Sequence, residues 1–130
     1  MNYSGGGQSQ NGGGQTPRNE AQLQNLCFLW IHNTYASERG VVWHTDNNSV
    51  NGVVGAQKKA LGVVKGISDL VWISPIGVIF IEIKFGDGRQ TEEQKRFEEM
   101  VTARKCLYFV VKDFETFKTI VWEVMSNIGK

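Results

Sequence analysis

Two apolar runs separated by one tight turn constrain the fold of this chain more than any other feature. Asp69–Ile73 predicts one strand and Val78–Phe85 predicts a second. The segment Ser74–Gly77 between them contains a proline and a glycine, which favour a turn. A connection this short joins antiparallel neighbours. The second run is apolar over nearly its whole length, which is typical of a central strand that is buried on both faces.

The composition is that of one domain with a substantial apolar core. The chain has 130 residues, of which 41% are apolar, and its formal net charge is +1. This balance excludes a globally basic nucleic-acid binder, so any such partner has to meet a local patch or a metal. No apolar run is long enough to cross a membrane and no signal peptide is recognisable. Cys27 and Cys106 lack metal-type spacing, and we expect both to be reduced and buried.

The remaining elements follow from hydrophobic spacing and from helix-start signals. A first helix begins near Thr16 or Asn19, and its inward face repeats at helical intervals and includes Glu20. Val41–His44 predicts a first strand and Leu107–Val111 a fourth. A helix opens at the capping box that starts with Thr91. A last helix follows Asp113, with the apolar stripe Phe114, Phe117, Val121, Val124 and Ile128.

The order helix, three strands, helix, strand, helix predicts an α/β sandwich with a mixed central sheet covered by helices. Residues 1–15 contain almost only Gly, Gln, Ser and Asn, and we predict a disordered tail there, followed by one domain over residues 16–130. Residues 46–62 are rich in Asn, Gly and Lys and are expected to form a long loop, which is usually functional or mobile in a domain of this size.

Charged residues interrupt the apolar strands at one end of the hairpin. Because side chains alternate along a strand, Glu82 and Lys84 share one face of the third strand. Asp69, at the start of the neighbouring strand, is expected to lie close to them. One interpretation is a metal site made of two carboxylates, the Ile83 carbonyl and water. The alternative is an ion pair on an exposed sheet face, which is common and contributes little to stability.

Three motifs, in this order, resemble the PD-(D/E)XK nuclease superfamily and, within it, the VRR-NUC family. They are Gly66–Leu70, Ile81–Lys84, and Gln94–Phe97 at the start of the following helix. The similarity spans roughly residues 17–125 and implies the α-β-β-β-α-β core of that superfamily. Ser68 departs from the proline of the superfamily name without removing a ligand.

The resemblance implies a role for each matching residue. Asp69 and Glu82 correspond to the metal-binding acids, and Lys84 to the catalytic lysine. Gln94 corresponds to a glutamine that supports the site, and Glu20 to an acid that contributes to the metal site. Two alternatives stay open: Gln94 is also placed as a capping-box partner, and Glu20 as a first-turn acid that complements the helix dipole. Asn47 and Asn48 align only loosely with polar residues of the family.

The activity that this resemblance implies is Mg²⁺- or Mn²⁺-dependent hydrolysis of DNA by an endonuclease. Branched DNA is the expected substrate, as for Holliday-junction resolvases, and a homodimer in the cytoplasm of a bacterial or phage-infected cell is the expected form. A nickase or flap-type nuclease on simpler DNA, an inactive DNA-binding protein, and an interaction module remain alternatives. Five basic residues are candidate DNA contacts: Lys58, Lys59, Lys65, Arg89 and Lys95. The two histidines are assigned structural roles, and the four tryptophans core or interface positions rather than base stacking.

Overall fold

The computed structural model describes residues 16–45 and 52–127. One four-stranded sheet forms the centre of the fold, with the strand order β1-β2-β3-β4. The pairs β1–β2 and β2–β3 are antiparallel and β3–β4 is parallel, as predicted for a mixed sheet. The strands are β1 Val42–His44, β2 Leu70–Ser74, β3 Gly77–Ile83 and β4 Leu107–Val111. The helices are α1 Glu20–Thr34, α2 Gly52–Ala60, α3 Glu92–Ala103 and α4 Phe114–Ser126, and a 3-10 turn spans Ala36–Glu38.

The predicted hairpin is confirmed. Leu70 pairs with Ile81 and Ser74 pairs with Gly77, so the β2–β3 ladder closes directly at the turn. Gly77 adopts a φ of 134°, a conformation that favours glycine. Strand β3 has partners on both sides, and α3 makes the crossover that parallel pairing with β4 requires.

Helices α1 and α4 cover one face of the sheet, and the hydrophobic core lies beneath them. The faces of both helices follow the predicted apolar stripes: Leu23, Cys27 and Ile31 are buried on α1, and Phe117, Val121 and Val124 on α4. The sheet contributes Leu70, Trp72, Ile79, Ile81 and Ile83 to the same core. Alternation along β3 therefore sends Phe80, Glu82 and Lys84 toward the opposite face.

Helix α3 covers part of that opposite face. The rings of Phe80 and Phe97 meet edge to face with centroids 5.1 Å apart, and Tyr108 of β4 lies 6.4 Å from Phe97. The predicted capping box opens α3, with Thr91 and Gln94 exchanging both hydrogen bonds. The first turn of α3 is thereby fixed above the charged end of β3.

The prediction of a loop was wrong for residues 52–60, because α2 occupies Gly52–Ala60, and its part over residues 46–51 lies outside the described residues. Glycines and asparagines dominate the segment and conceal the helix. The second half, Ala56–Ala60, consists of strong helix formers, and these offset the cost of the two glycines. The helix ends at Ala60, and Gly62, whose φ is 97°, follows two residues later.

Smaller differences concern ends of elements and burial. The ladder of β3 ends at Ile83, two residues before the predicted end. Cys27 is buried as expected, whereas Cys106 is only half-buried; both are free thiols. In residues 16–45 and 52–127, no helix is long and apolar enough to cross a membrane. The predictions for the tail 1–15, for Asn47 and Asn48, and for Ile128 lie outside the described residues.

Candidate active site

Asp69 lies immediately before β2. Its carboxylate, instead of a backbone carbonyl, accepts a hydrogen bond from the neighbouring strand β3. Its Oδ2 accepts a hydrogen bond of 2.7 Å from the backbone N–H of Ile83. On the other side of β3, the N–H of Lys84 donates to the carbonyl of Val111 at 3.0 Å. The carboxylate of Asp69 thus occupies the position at which β2 would otherwise continue. It holds Asp69 beside the charged end of β3, as the sequence predicted.

Glu82 is the most buried charged residue at this end of the sheet, with 2% of its surface exposed. Its Oε2 accepts a hydrogen bond of 2.8 Å from Nε2 of Gln94 and lies 3.5 Å from Nζ of Lys84. Its Oε1 has no hydrogen-bond partner, and among the described residues it is the one buried side-chain polar atom in that condition. Gln94 and Lys84 therefore hold Oε2, while Oε1 is buried without a hydrogen-bond partner among the described residues.

The electrostatics of this group follow from its burial. Removal from water, followed by the negative charge of the neighbouring Asp69, raises the pKa of Glu82 to about 8, against a smaller opposing effect of Lys84. Lys84 is itself 8% exposed, so the alternative of an ion pair on an exposed face was wrong. When Glu82 is ionised, the two adjacent carboxylates outnumber the one ammonium, so a cation would stabilise the ionised form.

Gln94 is the capping-box partner of Thr91 and also contacts Glu82, while its role in supporting a functional site stays a prediction. Its Oε1 accepts from the N–H of Thr91 at 2.8 Å, which completes the capping box, while its Nε2 donates to Glu82. One amide therefore joins the start of α3 to a carboxylate on β3. The helix cap and the orientation of Glu82 depend on the same side chain.

Gly66 brings the segment before β2 against the first turn of α3. Its φ is 82°, and a Cβ at this position would lie 2.4 Å from the backbone carbon and oxygen of Glu93. No side chain fits there without moving the helix. The close approach sets the distance between the segment that carries Asp69 and the helix that carries Gln94.

Comparison with solved structures finds a strong similarity in three dimensions. A solved structure described as a "VRR_NUC domain protein" superposes with a TM-score of 0.67 and 20% sequence identity, covering 89% of this chain and 94% of the other. This chain has a VRR-NUC fold. No family model and no curated protein sequence matches the chain. The fold implied by the three motifs is confirmed.

Within the VRR-NUC fold, Glu20 lies at the first position of α1 and is exposed rather than inward-facing as predicted. Its carboxylate nevertheless lies beside Gly88, because a Cβ built on Gly88 would be 3.4 Å from its Oε2. Gly88 belongs to the loop that follows β3. The first helix therefore directs an acid toward the loop beyond Lys84, and a ligand role for Glu20 stays a prediction.

The basic residues predicted to contact DNA lie on four segments of the VRR-NUC fold. Lys58 and Lys59 are in the last turn of α2, and Lys65 directly precedes Gly66. Arg89 lies in the loop before α3 and is exposed. Lys95 is exposed on α3 and lies 3.4 Å from Glu92. Their contribution to binding stays a prediction.

Two contacts around Asp69 were missed from the sequence. Nδ1 of His44 lies 2.9 Å from the backbone carbonyl oxygen of Asp69 and equally close to Nε2 of Gln24. The N–H of Thr45 donates to the same carbonyl at 2.9 Å, and its hydroxyl donates to the carbonyl of Ser68. The end of β1 is therefore fixed to the acid-bearing segment. Only the pairing of β1 with β2 shows this proximity, because the two segments are far apart in sequence.

The donors at this end of the VRR-NUC fold suit a hard divalent cation. The partnerless Oε1 of Glu82 and the adjacent carboxylate of Asp69 are oxygen groups of the kind that such a cation would take as ligands. Over residues 16–45 and 52–127, no group of three or more Asp, Glu, His or Cys side chains is arranged to hold a metal. A site of two carboxylates fits Mg²⁺ or Mn²⁺, because Mg²⁺ keeps several water ligands.

Proposed function

We propose that this protein is a divalent-metal-dependent nuclease that hydrolyses phosphodiester bonds in DNA. The observation that carries the proposal is the buried Oε1 of Glu82, which has no hydrogen-bond partner and lies beside the carboxylate of Asp69. Burying an ionisable oxygen without a partner costs free energy, and a bound cation removes that cost. The VRR-NUC fold supports the same conclusion by analogy.

Each side chain of the site has a proposed role. Asp69 and Glu82 would hold the cation, together with the carbonyl of Ile83 and water. Lys84, whose Nζ lies 3.5 Å from Oε2 of Glu82, would orient the attacking water or neutralise the scissile phosphate. Gln94 would keep Glu82 in its rotamer through the 2.8 Å hydrogen bond. Glu20 would add a further carboxylate from α1.

The cation, Mg²⁺ or Mn²⁺, would supply charge balance at phosphorus and a lowered pKa for bound water. Lys84 contributes an ammonium that is almost withdrawn from solvent, where its charge acts more strongly on a phosphate than it would in water. Gln94 donates a hydrogen bond to Oε2 of Glu82 and Lys84 forms an ion pair with the same oxygen, which leaves Oε1 without a partner. This arrangement keeps the catalytic groups in place before substrate arrives.

We further propose that the substrate is branched DNA, cut by a homodimer in the cytoplasm of a bacterial or phage-infected cell. A two-fold dimer presents two equivalent sites, which suits cleavage of two strands of a junction. The five basic residues Lys58, Lys59, Lys65, Arg89 and Lys95 would contact phosphates. A nickase or flap-type activity on simpler DNA, or DNA binding without cleavage, is the competing proposal.

Cleavage of labelled DNA by the purified chain tests the proposal. Four-way junction, flap and linear duplex are incubated with Mg²⁺, Mn²⁺ or EDTA, and products are resolved on denaturing gels. We expect metal-dependent cleavage that is lost in Lys84→Ala and in Asp69→Asn. Lys118→Ala is the matched control, because Lys118 forms an exposed ion pair with Glu115 on α4, on the other face of the sheet. Full activity in Asp69→Asn would refute the assigned site.

Thermal unfolding provides a readout that does not depend on cleavage. A ligand that binds the folded state alone raises the melting temperature. We expect Mg²⁺ or Mn²⁺ to raise it for the original chain and not for Glu82→Gln, which keeps the volume of the side chain but removes its charge. Equal shifts for the two proteins would place the cation elsewhere. Sedimentation with and without junction DNA tests the dimer.

A further inference from the structure

Trp43 is an aromatic side chain on the edge strand β1 whose ring is not used by the core. It is 43% exposed, whereas Trp72, two residues into the neighbouring strand, is completely buried. Among the residues described, β1 has one strand partner, β2, and Trp43 pairs there with Val71. The sequence assigned the tryptophans to core or interface positions, and the exposure of Trp43 excludes the core.

The register places Trp43 on the same face of the sheet as the acids. Trp43 pairs with Val71, which pairs with Phe80, and Phe80 precedes Glu82 by two residues on β3. Val42 and His44, its neighbours in sequence, point to the other face: Val42 belongs to the core and His44 meets Gln24 of α1. The ring of Trp43 therefore projects from the face that carries Glu82 and Lys84.

The same register sets the distance between Trp43 and the site. Val71 is two residues from Asp69, and Trp43 is one strand away from Val71. With a rise of about 3.3 Å per residue and about 4.8 Å between strands, the Cα atoms of Trp43 and Asp69 are roughly 8 Å apart. Because bases stack about 3.4 Å apart along a strand, this corresponds to roughly two nucleotides.

The position of Trp43 is fixed with respect to the acids. Thr45, two residues further along, donates its N–H to the carbonyl of Asp69 at 2.9 Å, and Nδ1 of His44 lies 2.9 Å from the same oxygen. The end of β1 and the segment bearing Asp69 thus move as one piece. An aromatic ring held at a fixed offset from a phosphate-cleaving site can read a nucleotide near the cut.

We propose that Trp43 stacks on an unpaired nucleobase roughly two nucleotides from the scissile phosphate. This inference rests on the proposed nuclease function. An indole face on an open strand edge suits a base outside a duplex, since bases inside one are already stacked on both sides, and base–aromatic stacking tolerates any sequence. Trp43 would then favour cleavage near an unpaired position, which branch points and flaps contain.

The experiment combines protein variants with altered DNA. Apparent affinity and cleavage are measured for the original chain, Trp43→Ala and Trp43→Phe, on a flap or junction and on the same DNA with single abasic residues at positions around the cut. Trp122→Ala is the matched control, because Trp122 is 63% exposed but lies on α4, on the opposite side of the sheet. Melting temperatures confirm that each variant folds.

We expect Trp43→Ala to weaken binding roughly tenfold, the loss expected for one stacked base, and Trp43→Phe to retain most of the affinity. On DNA that lacks the base in question, the original chain and Trp43→Ala should bind equally. If the original chain cleaves and Trp43→Ala matches it on every substrate, the stacking inference fails while the nuclease stands.

The remaining outcomes are equally decisive. A tenfold difference that persists at every abasic position shows that Trp43 acts through the protein and not through a base, and overturns the inference. A changed sedimentation mass in Trp43→Ala without base dependence would make Trp43 a contact between copies instead. If the original chain neither cuts nor binds any of the DNAs, the proposed function itself fails, a result distinct from the others.

Discussion

Gln94 and Glu82 are joined by a hydrogen bond of 2.8 Å from the amide Nε2 to the carboxylate Oε2, so the first turn of α3 holds a side chain of β3. The same amide closes the cap of α3 through its Oε1. The Oε1 of Gln94 caps the helix and the Nε2 holds Glu82. A substitution that changes only the Nε2 end therefore separates the two effects.

Gln94→Glu makes that separation. A glutamate at this position still caps the helix, but it places a second carboxylate against Glu82. We expect cleavage to fall about 10- to 100-fold, as is usual when a partner of a metal ligand is lost. Asp113→Ala is the control: it removes the N-cap of α4 and about 1 kcal/mol of stability, with cleavage kept. Unchanged cleavage in Gln94→Glu would show that Glu82 needs no orienting donor.

Gly66→Ala tests the close approach of two backbones. The added Cβ would lie 2.4 Å from Glu93, so we expect a loss of about 3 kcal/mol or more in the free energy of unfolding, measured in urea. Gly62→Ala is the matched control, because Gly62 also has positive φ, 97°, but has nothing within 4 Å of the new atom. It should cost about 1–2 kcal/mol. Equal losses of stability in the two variants would mean that the close approach of Gly66 to Glu93 does not contribute to the cost.

Lys105→Gly is expected to stabilise the protein. Lys105 is the described non-glycine residue with positive φ, 72°, and it follows α3 at the position where helices usually place glycine. The N–H of Cys106 reaches back to the carbonyl of Val101 at 3.1 Å, which completes that C-terminal motif. Relief of the left-handed strain should add about 0.5–1 kcal/mol. Arg104→Gly, with φ of −99°, should bring no gain.

The two thiols should differ in reactivity and in their effect on pH stability. Burial, and then the negative charge of Asp113, raises the pKa of Cys27 to about 12 from 9. We expect a thiol reagent at pH 8 to label Cys106 in the folded protein and Cys27 only after unfolding. Fast labelling of Cys27 in a Cys106→Ser variant would contradict its burial.

The direction in which stability changes with pH follows from the raised pKa of Cys27. Below pH 9 the Cys27 thiol is neutral in both states, so it does not alter stability with pH. Between pH 9 and about 12 the unfolded chain loses that proton while the folded chain keeps it, so stability falls. Thermal unfolding is compared between the Cys106→Ser protein and a protein that carries both Cys106→Ser and Cys27→Ala. The difference in melting temperature between them should decrease above pH 9.

The parts of the fold that were predictable are those fixed by local pattern. The hairpin and the shared face of Glu82 and Lys84 follow from alternation in a nearly unbroken apolar run, which leaves one register that keeps Ile79, Ile81 and Ile83 in the core. The capping box at Thr91 follows from a spacing of three residues.

What was missed depends on contacts between distant segments. The sequence around Gly66 does not predict its contact with the backbone of Glu93. The sequence around His44 does not predict its contact with the carbonyl of Asp69. A buried Glu38, which accepts from the indole N–H of Trp72 at 2.9 Å, is equally invisible, because a glutamate in a short 3-10 turn reads as exposed. Helix α2 was missed since glycines lowered its local propensity.

The hairpin has a consequence for how the site comes into being. The contacts that join Asp69, Glu82 and Gln94 all lie within one continuous segment of the chain. It begins at Gly66, passes through the hairpin turn and ends in the first turn of α3. Short loops close quickly, so we expect this stretch to acquire its native pairing while α1 and α4 are still undocked. Pulse-labelling hydrogen exchange during refolding would then find β3 amides protected before those of α1. The geometry of the candidate site would then arise in a single local folding event, and the rest of the chain would pack around it afterwards.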